Sequence, residues 1–224
     1  MLDTLAMANI GVSILLMLWS VVDVNRRPPA MQVMKWVWPL TFLWGGLFAL
    51  AMYLWFGRAS KGGVSHDRHG HGHRPMWQSV TLGATHCGAG CSLADLLVEG
   101  GMFVLGLGFA IFGERVFGNW IIDYVAALVI GVVFQYAALA PMSRESTGTV
   151  IWKSFKSDVL SLSSWQVGMY GWMAIGIFVL FGHVAMEPDR WLFWWMMQCA
   201  MLLGFITAYP VNWLLIRAGV KEAM

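Results

Sequence analysis

Residues 5–22 read LAMANIGVSILLMLWSVV, a run with no charge, interrupted only by Asn9, Ser13 and Ser20 and closed by Asp23. A helix needs about 20 apolar residues to cross a hydrocarbon core of roughly 30 Å, so this run reads as a membrane span. It begins almost at residue 1 without a cationic leader or a small-residue cleavage site, which argues against a cleaved signal peptide. Asn25–Arg26–Arg27–Pro28–Pro29 then ends it, since consecutive prolines cannot continue a helix. The whole chain shares this character. Of 224 residues, 58% are hydrophobic and 12% charged, against roughly half and a quarter in ordinary globular domains. The surplus apolar surface has to face lipid. That excludes a soluble enzyme and a disordered chain, and a net charge of +2 excludes a nucleic-acid binder. Three cysteines cannot build a disulfide framework.

Further runs follow at Trp36–Phe56, Ser79–Phe112, Trp120–Met142, Leu160–Phe181 and Trp191–Ile216. The expected fold is therefore all-α: a polytopic transmembrane bundle of about six spans in a single domain, residues 1–224, with a His-rich loop at 57–77. The third run is too long for one upright helix at about 1.5 Å per residue. It reads as one long tilted helix or as two pieces meeting near Gly100–Gly101, which would make seven spans. Pro210 predicts a kink in the last. With the N-terminus inside, the inner segments carry Arg58, Lys61, Arg68, Arg74, Arg144, Lys153, Lys156, Arg217 and Lys221, against Arg26, Arg27, Lys35, Arg115 and Arg190 outside. The expectation is a cytoplasmic location for both termini.

The stretch that carries chemistry is Thr85–His86–Cys87–Gly88–Ala89–Gly90–Cys91–Ser92–Leu93–Ala94–Asp95, followed by Glu99. Helical spacing of four puts Cys87, Cys91, Asp95 and Glu99 on one stripe, with His86 beside its start. Thiolates select Cu(I)- or Zn-like ions, and imidazole suits both. The ligands expected are His86, Cys87 and Cys91, with Asp95 and Glu99 supporting or proton-linked. A disulfide between Cys87 and Cys91 would require unwinding at Gly88–Ala89–Gly90, because helical neighbours at this spacing sit about 5–6 Å apart at Cβ. The bland reading is helix packing, and Cys199 is taken as a small apolar residue.

Upstream, His66, His69, His71 and His73 interleave with glycine, a composition that suits weak, adaptable metal capture. Met196, Met197 and Met201 repeat the spacing of His86, Cys87 and Cys91, yet methionine at helical spacing is ordinarily packing. Gln135, Gln166, Gln198 and Asn212 read as helix-joining groups. Asp123 reads as interfacial, and Asp158 as an acidic cap at the start of the fifth span.

Several stretches resemble an uncharacterised bacterial integral-membrane family, domain of unknown function 4396. They are the Thr85–Cys91 motif, Phe134–Gln135–Tyr136 with Pro141–Met142, Lys156–Leu162, Trp165–Tyr170, Met196–Met201, Tyr209–Trp213 and Gly219–Glu222. Ala94 stands where the family pattern has Gly. The resemblance covers most of the chain and implies no activity. It implies a patch that pairs His86, Cys87 and Cys91 with Asp158, Gln135, Gln166, Met169 and Gln198.

The functional expectation is a multi-pass protein of the bacterial inner (cytoplasmic) membrane that binds a soft transition metal, copper above all, for transport or for delivery to or from a partner protein. Its surroundings are the lipid bilayer; nothing signals nucleotide, flavin or nucleic acid. The alternatives are a membrane thiol–disulfide oxidoreductase using Cys87 and Cys91, and a structural or assembly subunit.

Overall fold

The computed structural model describes residues 1–29, 31–59, 75–140 and 143–221. His66, His69, His71 and His73, with Pro141, Met142 and Glu222, lie outside the described residues. Six helices are long and apolar enough to cross a bilayer: α1 Leu2–Arg26, α2 Met34–Gly57, α3 Met76–Leu105, α4 Arg115–Leu139, α5 Thr147–Phe181 and α6 Trp191–Arg217. No strand occurs among the described residues beyond an isolated bridge between Ile111 and Glu114. The fold is an all-α polytopic membrane bundle.

The second helix departs from a straight span. At Gly46 the backbone takes φ 47° and ψ −123°, outside the helical region. Trp38 then packs on Tyr53 at a centroid distance of 4.9 Å, and a Cβ on Gly57 would overlap the Trp38 ring. Along a straight axis Trp38 and Gly57 would stand ~28 Å apart. The helix is therefore a hairpin of two arms whose ends share one side of the bundle. Its tip is held inside protein. Gln198 Nε2 donates to the Leu43 carbonyl, left without its helical partner at the turn, at 2.5 Å, and to Ser13 Oγ at 3.0 Å. Non-helical backbone at membrane depth is tolerated only where protein covers it in this way.

The base of the hairpin is fixed by Asp23 near the end of α1. Its carboxylate accepts from Arg58 Nε (2.9 Å) and Nη2 (2.7 Å) and from the Tyr53 hydroxyl (2.8 Å). Arg58 also lies over the Trp19 ring, 5.6 Å from its centroid. Next to this base, Trp55 and Phe56 pack on Trp77 at the start of α3. Tyr209, near the end of α6, donates to the Trp77 carbonyl at 3.4 Å. Towards the opposite end Asn9 donates to Gln198 at 2.6 Å, joining the third turns of α1 and α6. Met1 and Arg217 consequently lie at opposite ends of the bundle, which we call the N end and the C end.

The third span is one helix rather than two. A π turn at Leu96–Gly100 takes up an extra residue, and Gly106, at φ 65°, ends the helix in the left-handed conformation that glycine accepts without cost. Residues 106–114 are the connection to α4 and not membrane span. The segment expected to be a polar link before the fifth span is instead helical from Thr147, capped by Ser146, whose hydroxyl accepts from the Thr149 amide. Asp158 is then no cap; it sits within α5. The last helix continues through Pro210.

Candidate functional site

The third helix is the centre of the bundle, packed against α2, α4, α5 and α6. From Ser79 to Ser92 every residue is buried, and many are small, which lets neighbouring helices approach. A Cβ on Gly90 would lie 3.5 Å from the Gly131 Cα of α4, and one on Gly88 would enter the Trp165 ring. The expected stripe therefore faces protein and not lipid.

Cys87 and Cys91 are free, buried and within hydrogen-bonding reach of each other. His86 is 1% exposed, and no hydrogen bond of good geometry satisfies either ring nitrogen among the described residues, although the Phe134 backbone comes within reach of the ring. Its ring meets Phe134 of α4 edge-on at 5.8 Å. Successive helical positions diverge by about 100°. For that reason His86 is turned towards α4, and no three His, Cys, Asp or Glu side chains converge on one point among the described residues.

Around His86 the family-implied residues divide. Asp158 lies across the bare face of Gly131, where a Cβ would fall 2.0 Å from its Oδ2. One turn further along α4, both side-chain atoms of Gln135 are buried without a partner among the described residues. Lys221 reaches this region from beyond α6. Its Nζ donates to Asn212 Oδ1 (2.7 Å), the Gly83 carbonyl (3.4 Å) and Ser161 Oγ (3.5 Å), and it is the cation whose field reaches both His86 and Asp158. Met169 is fully buried in α5. Gln198 is absent from this group, because it joins α6 to α1 and to the hairpin tip.

Nearer the N end a second group forms. Asp95 and Asp123 bring their carboxyls within hydrogen-bonding reach of one another. Asp123 is 1% exposed, so protein rather than solvent surrounds it. Its Oδ2 accepts from the Tyr170 hydroxyl (2.8 Å) and from Gln166 Nε2 (3.4 Å). Tyr170 in turn stacks on Trp120 at 4.7 Å and 5°. Glu99 lies within the π turn and accepts from Asn119 Nδ2 at 3.1 Å, bordering a cavity of about 610 Å³ with Glu114, Arg115 and His183. Lys221 and Asn119 were not among the expected site residues, and the Gly219–Glu222 motif, which contains Lys221, was the available signal for it. Tyr170 stands in the Trp165–Tyr170 motif, but the spacing of Asp123 to Tyr170 across two helices gave no sign that they pair.

These features define an integral membrane protein with a polar interior threaded along its central helix. The chain belongs to the family described as Domain of unknown function (DUF4396), whose model matches residues 76–221, from the start of α3 to Lys221. No curated protein and no solved structure matches the chain.

Proposed function

We propose that this protein carries or delivers a soft transition-metal ion, copper above all, through the membrane-embedded pair Cys87 and Cys91, with His86 as third ligand. The supporting observation is the state of His86. A buried imidazole with neither nitrogen partnered forfeits about 1–3 kcal/mol of hydrogen bonding. It stands one residue before Cys87, whose thiol lies one helical turn from that of Cys91. A metal ion would use that unspent donor capacity once the ring rotates toward the thiol pair. Thiol and imidazole together select soft and borderline ions. Asp95, one turn beyond Cys91, would accept a thiol proton on binding. His66, His69, His71 and His73 would gather the ion, and a soluble donor or acceptor protein would exchange it.

For localisation we infer a bacterial cytoplasmic membrane with the C end inside. Arg26, Arg27, Lys35, Arg58, Arg144, Lys153, Lys156, Arg217 and Lys221 belong to the C end, whereas Arg115 and Arg190 belong to the N end. Such a bias sets the cationic side in the cytoplasm. Lys61, Arg68 and Arg74, with the four histidines, belong to the segment joining Arg58 to Met76, two points on that same side.

The test is titration of the purified full chain with Cu(I) and Zn(II) under reducing conditions, followed by Cys87→Ser and Cys91→Ser. Stoichiometric binding lost in both variants is expected. A folded wild type that takes up neither ion overturns the reading. The contact between the two thiols favours one rival, a thiol–disulfide oxidoreductase, and trapping a Cys87–Cys91 disulfide or a mixed disulfide with a partner would establish it instead.

A further inference from the structure

The group at Asp95, Asp123 and Gln166 is made of oxygen, and its accounts do not close. Both oxygens of Asp95, Oδ1 of Asp123 and Oε1 of Gln166 are buried with no donor among the described residues. Asp95 faces the Asp123 carboxyl, and two buried carboxyls in reach of one another need a shared proton or a cation between them. Ion pairs among the described residues involve Asp23, Glu145, Glu114 and Asp189; none reaches Asp95 or Asp123. Charged groups within a span cost at least about 2.5–3.5 kcal/mol each and persist for a pathway or a partner. Tyr170 and Gln166 donate to Asp123, while among the described residues no side-chain donor reaches either oxygen of Asp95.

We infer that Asp95, Asp123 and the Gln166 carbonyl form a binding site for a hard monovalent cation of the sodium class, separate from the thiol pair. Carboxylate and amide oxygens suit hard ions, as thiolate and imidazole suit soft ones, so the two groups along α3 divide by donor chemistry. Gln166 points its amide nitrogen at Asp123, which leaves its oxygen free for the ion. A single cation takes the place of the proton that the two carboxyls otherwise share. The opposite side of Asp95, together with Ser92, borders a cavity of about 240 Å³ beside the hairpin tip. The site makes no use of Cys87 or Cys91 and shares only Asp95 with the metal reading, so loss of metal binding in Cys87→Ser leaves it standing.

The experiment is equilibrium binding of radioactive sodium ion to the purified full chain at fixed pH, with potassium, choline and magnesium as competitors. The expected result is saturable binding that choline does not displace. Asp95→Asn and Asp123→Asn should weaken it by about tenfold or more. Glu99→Gln, on the same helix but paired with Asn119, and Cys87→Ser should leave it within about twofold of wild type. Thermal unfolding of each variant, read beside binding, separates loss of the site from loss of the fold. Absence of saturable sodium binding in folded wild type overturns the inference. So does equal binding by a folded Asp95→Asn chain, or displacement by magnesium at lower concentration than by sodium. Proton uptake at this pair without any sodium dependence would likewise overturn it.

Discussion

Gln198 Nε2 donates to the carbonyl of Leu43 across 155 positions of sequence, at 2.5 Å. The bond joins the third turn of α6 to a backbone carbonyl just before the reversal in α2. Within the apolar interior a lost partner costs about 1–3 kcal/mol, because no water replaces it. We expect Gln198→Leu, which keeps the volume and removes the donor, to lower stability by that amount. Thermal unfolding in detergent measures it; a midpoint equal to wild type would mean that the carbonyl has another partner.

At Gly46 the backbone itself sets the constraint. A side chain there would adopt φ 47° and ψ −123°, and its Cβ would stand 3.0 Å from Ser13 Oγ. Strained backbone of this kind costs about 1–3 kcal/mol in a residue other than glycine. Gly46→Ala should therefore destabilise the chain at least as much as Gln198→Leu. The two variants should combine to less than their sum, since both act on Ser13 and the same turn, and sites that share a partner do not act independently. A strictly additive double variant would separate the turn from the Gln198 bond.

The hairpin also fixes which surfaces share a side. Single cysteines introduced at Arg27 and Glu145, in a chain whose three native cysteines are replaced, should react with a membrane-impermeant thiol reagent only after the membrane is opened. Cysteines at Asp3 and Asp189 should react in intact cells or spheroplasts. Labelling of Arg27→Cys and Glu145→Cys from different sides would mean that α2 crosses the membrane.

The membrane class, the all-α fold and the six long helices were legible because charge is scarce and the apolar runs have bilayer length. The reversal within α2 was hidden. Gly45 and Gly46 sit in a run as apolar as any span, and hydropathy does not report direction. The distribution of cations contained a trace of it. With α2 crossing, Arg26, Arg27 and Lys35 fall on the less basic side; with α2 returning, they join the basic one. The stripe from Cys87 to Asp95 was readable from spacing of four alone. Its partners Asp123, Tyr170 and Lys221 were not, because they come from other helices, and local periodicity says nothing of which faces meet. Asp158 was misplaced because Ser143–Asp158 is polar enough to look like a loop, whereas Ser146 caps a helix that starts three turns earlier.

Asp23 offers a test of the hairpin base. Its carboxylate accepts three hydrogen bonds, two from Arg58 and one from Tyr53, and is itself buried. Asp23→Asn keeps the shape, removes the charge and leaves the Arg58 guanidinium without its counter-ion. Since Arg58 is partly open to solvent, the expected loss is at the lower part of the range for hydrogen bonds to charged groups, about 1.5–3 kcal/mol. Asp23→Glu should recover part of it. Chemical or thermal unfolding in detergent reads both, and an unaffected Asp23→Asn would show that Arg58 is held by Trp19 instead.

Two glycines give the final comparison, because they differ in what a methyl group would meet. On α4, a Cβ at Gly131 would fall 2.0 Å from Asp158 Oδ2, so Gly131→Ala has to push Asp158 out of its seat between α4 and α5. On α5, a Cβ at Gly148 meets nothing within 4 Å. Alanine is about 1 kcal/mol better than glycine inside a helix. Gly148→Ala should therefore be neutral or stabilising by up to about that amount. Gly131→Ala should reverse the sign, losing about 1–3 kcal/mol to overpacking. If Asp158 owes its position to that bare backbone, pairing Gly131→Ala with Asp158→Ala should restore part of the lost stability, since the smaller side chain vacates the space. Thermal unfolding of the three chains decides it. A double variant no more stable than Gly131→Ala alone would mean that the clash falls on the helix backbones rather than on the carboxylate.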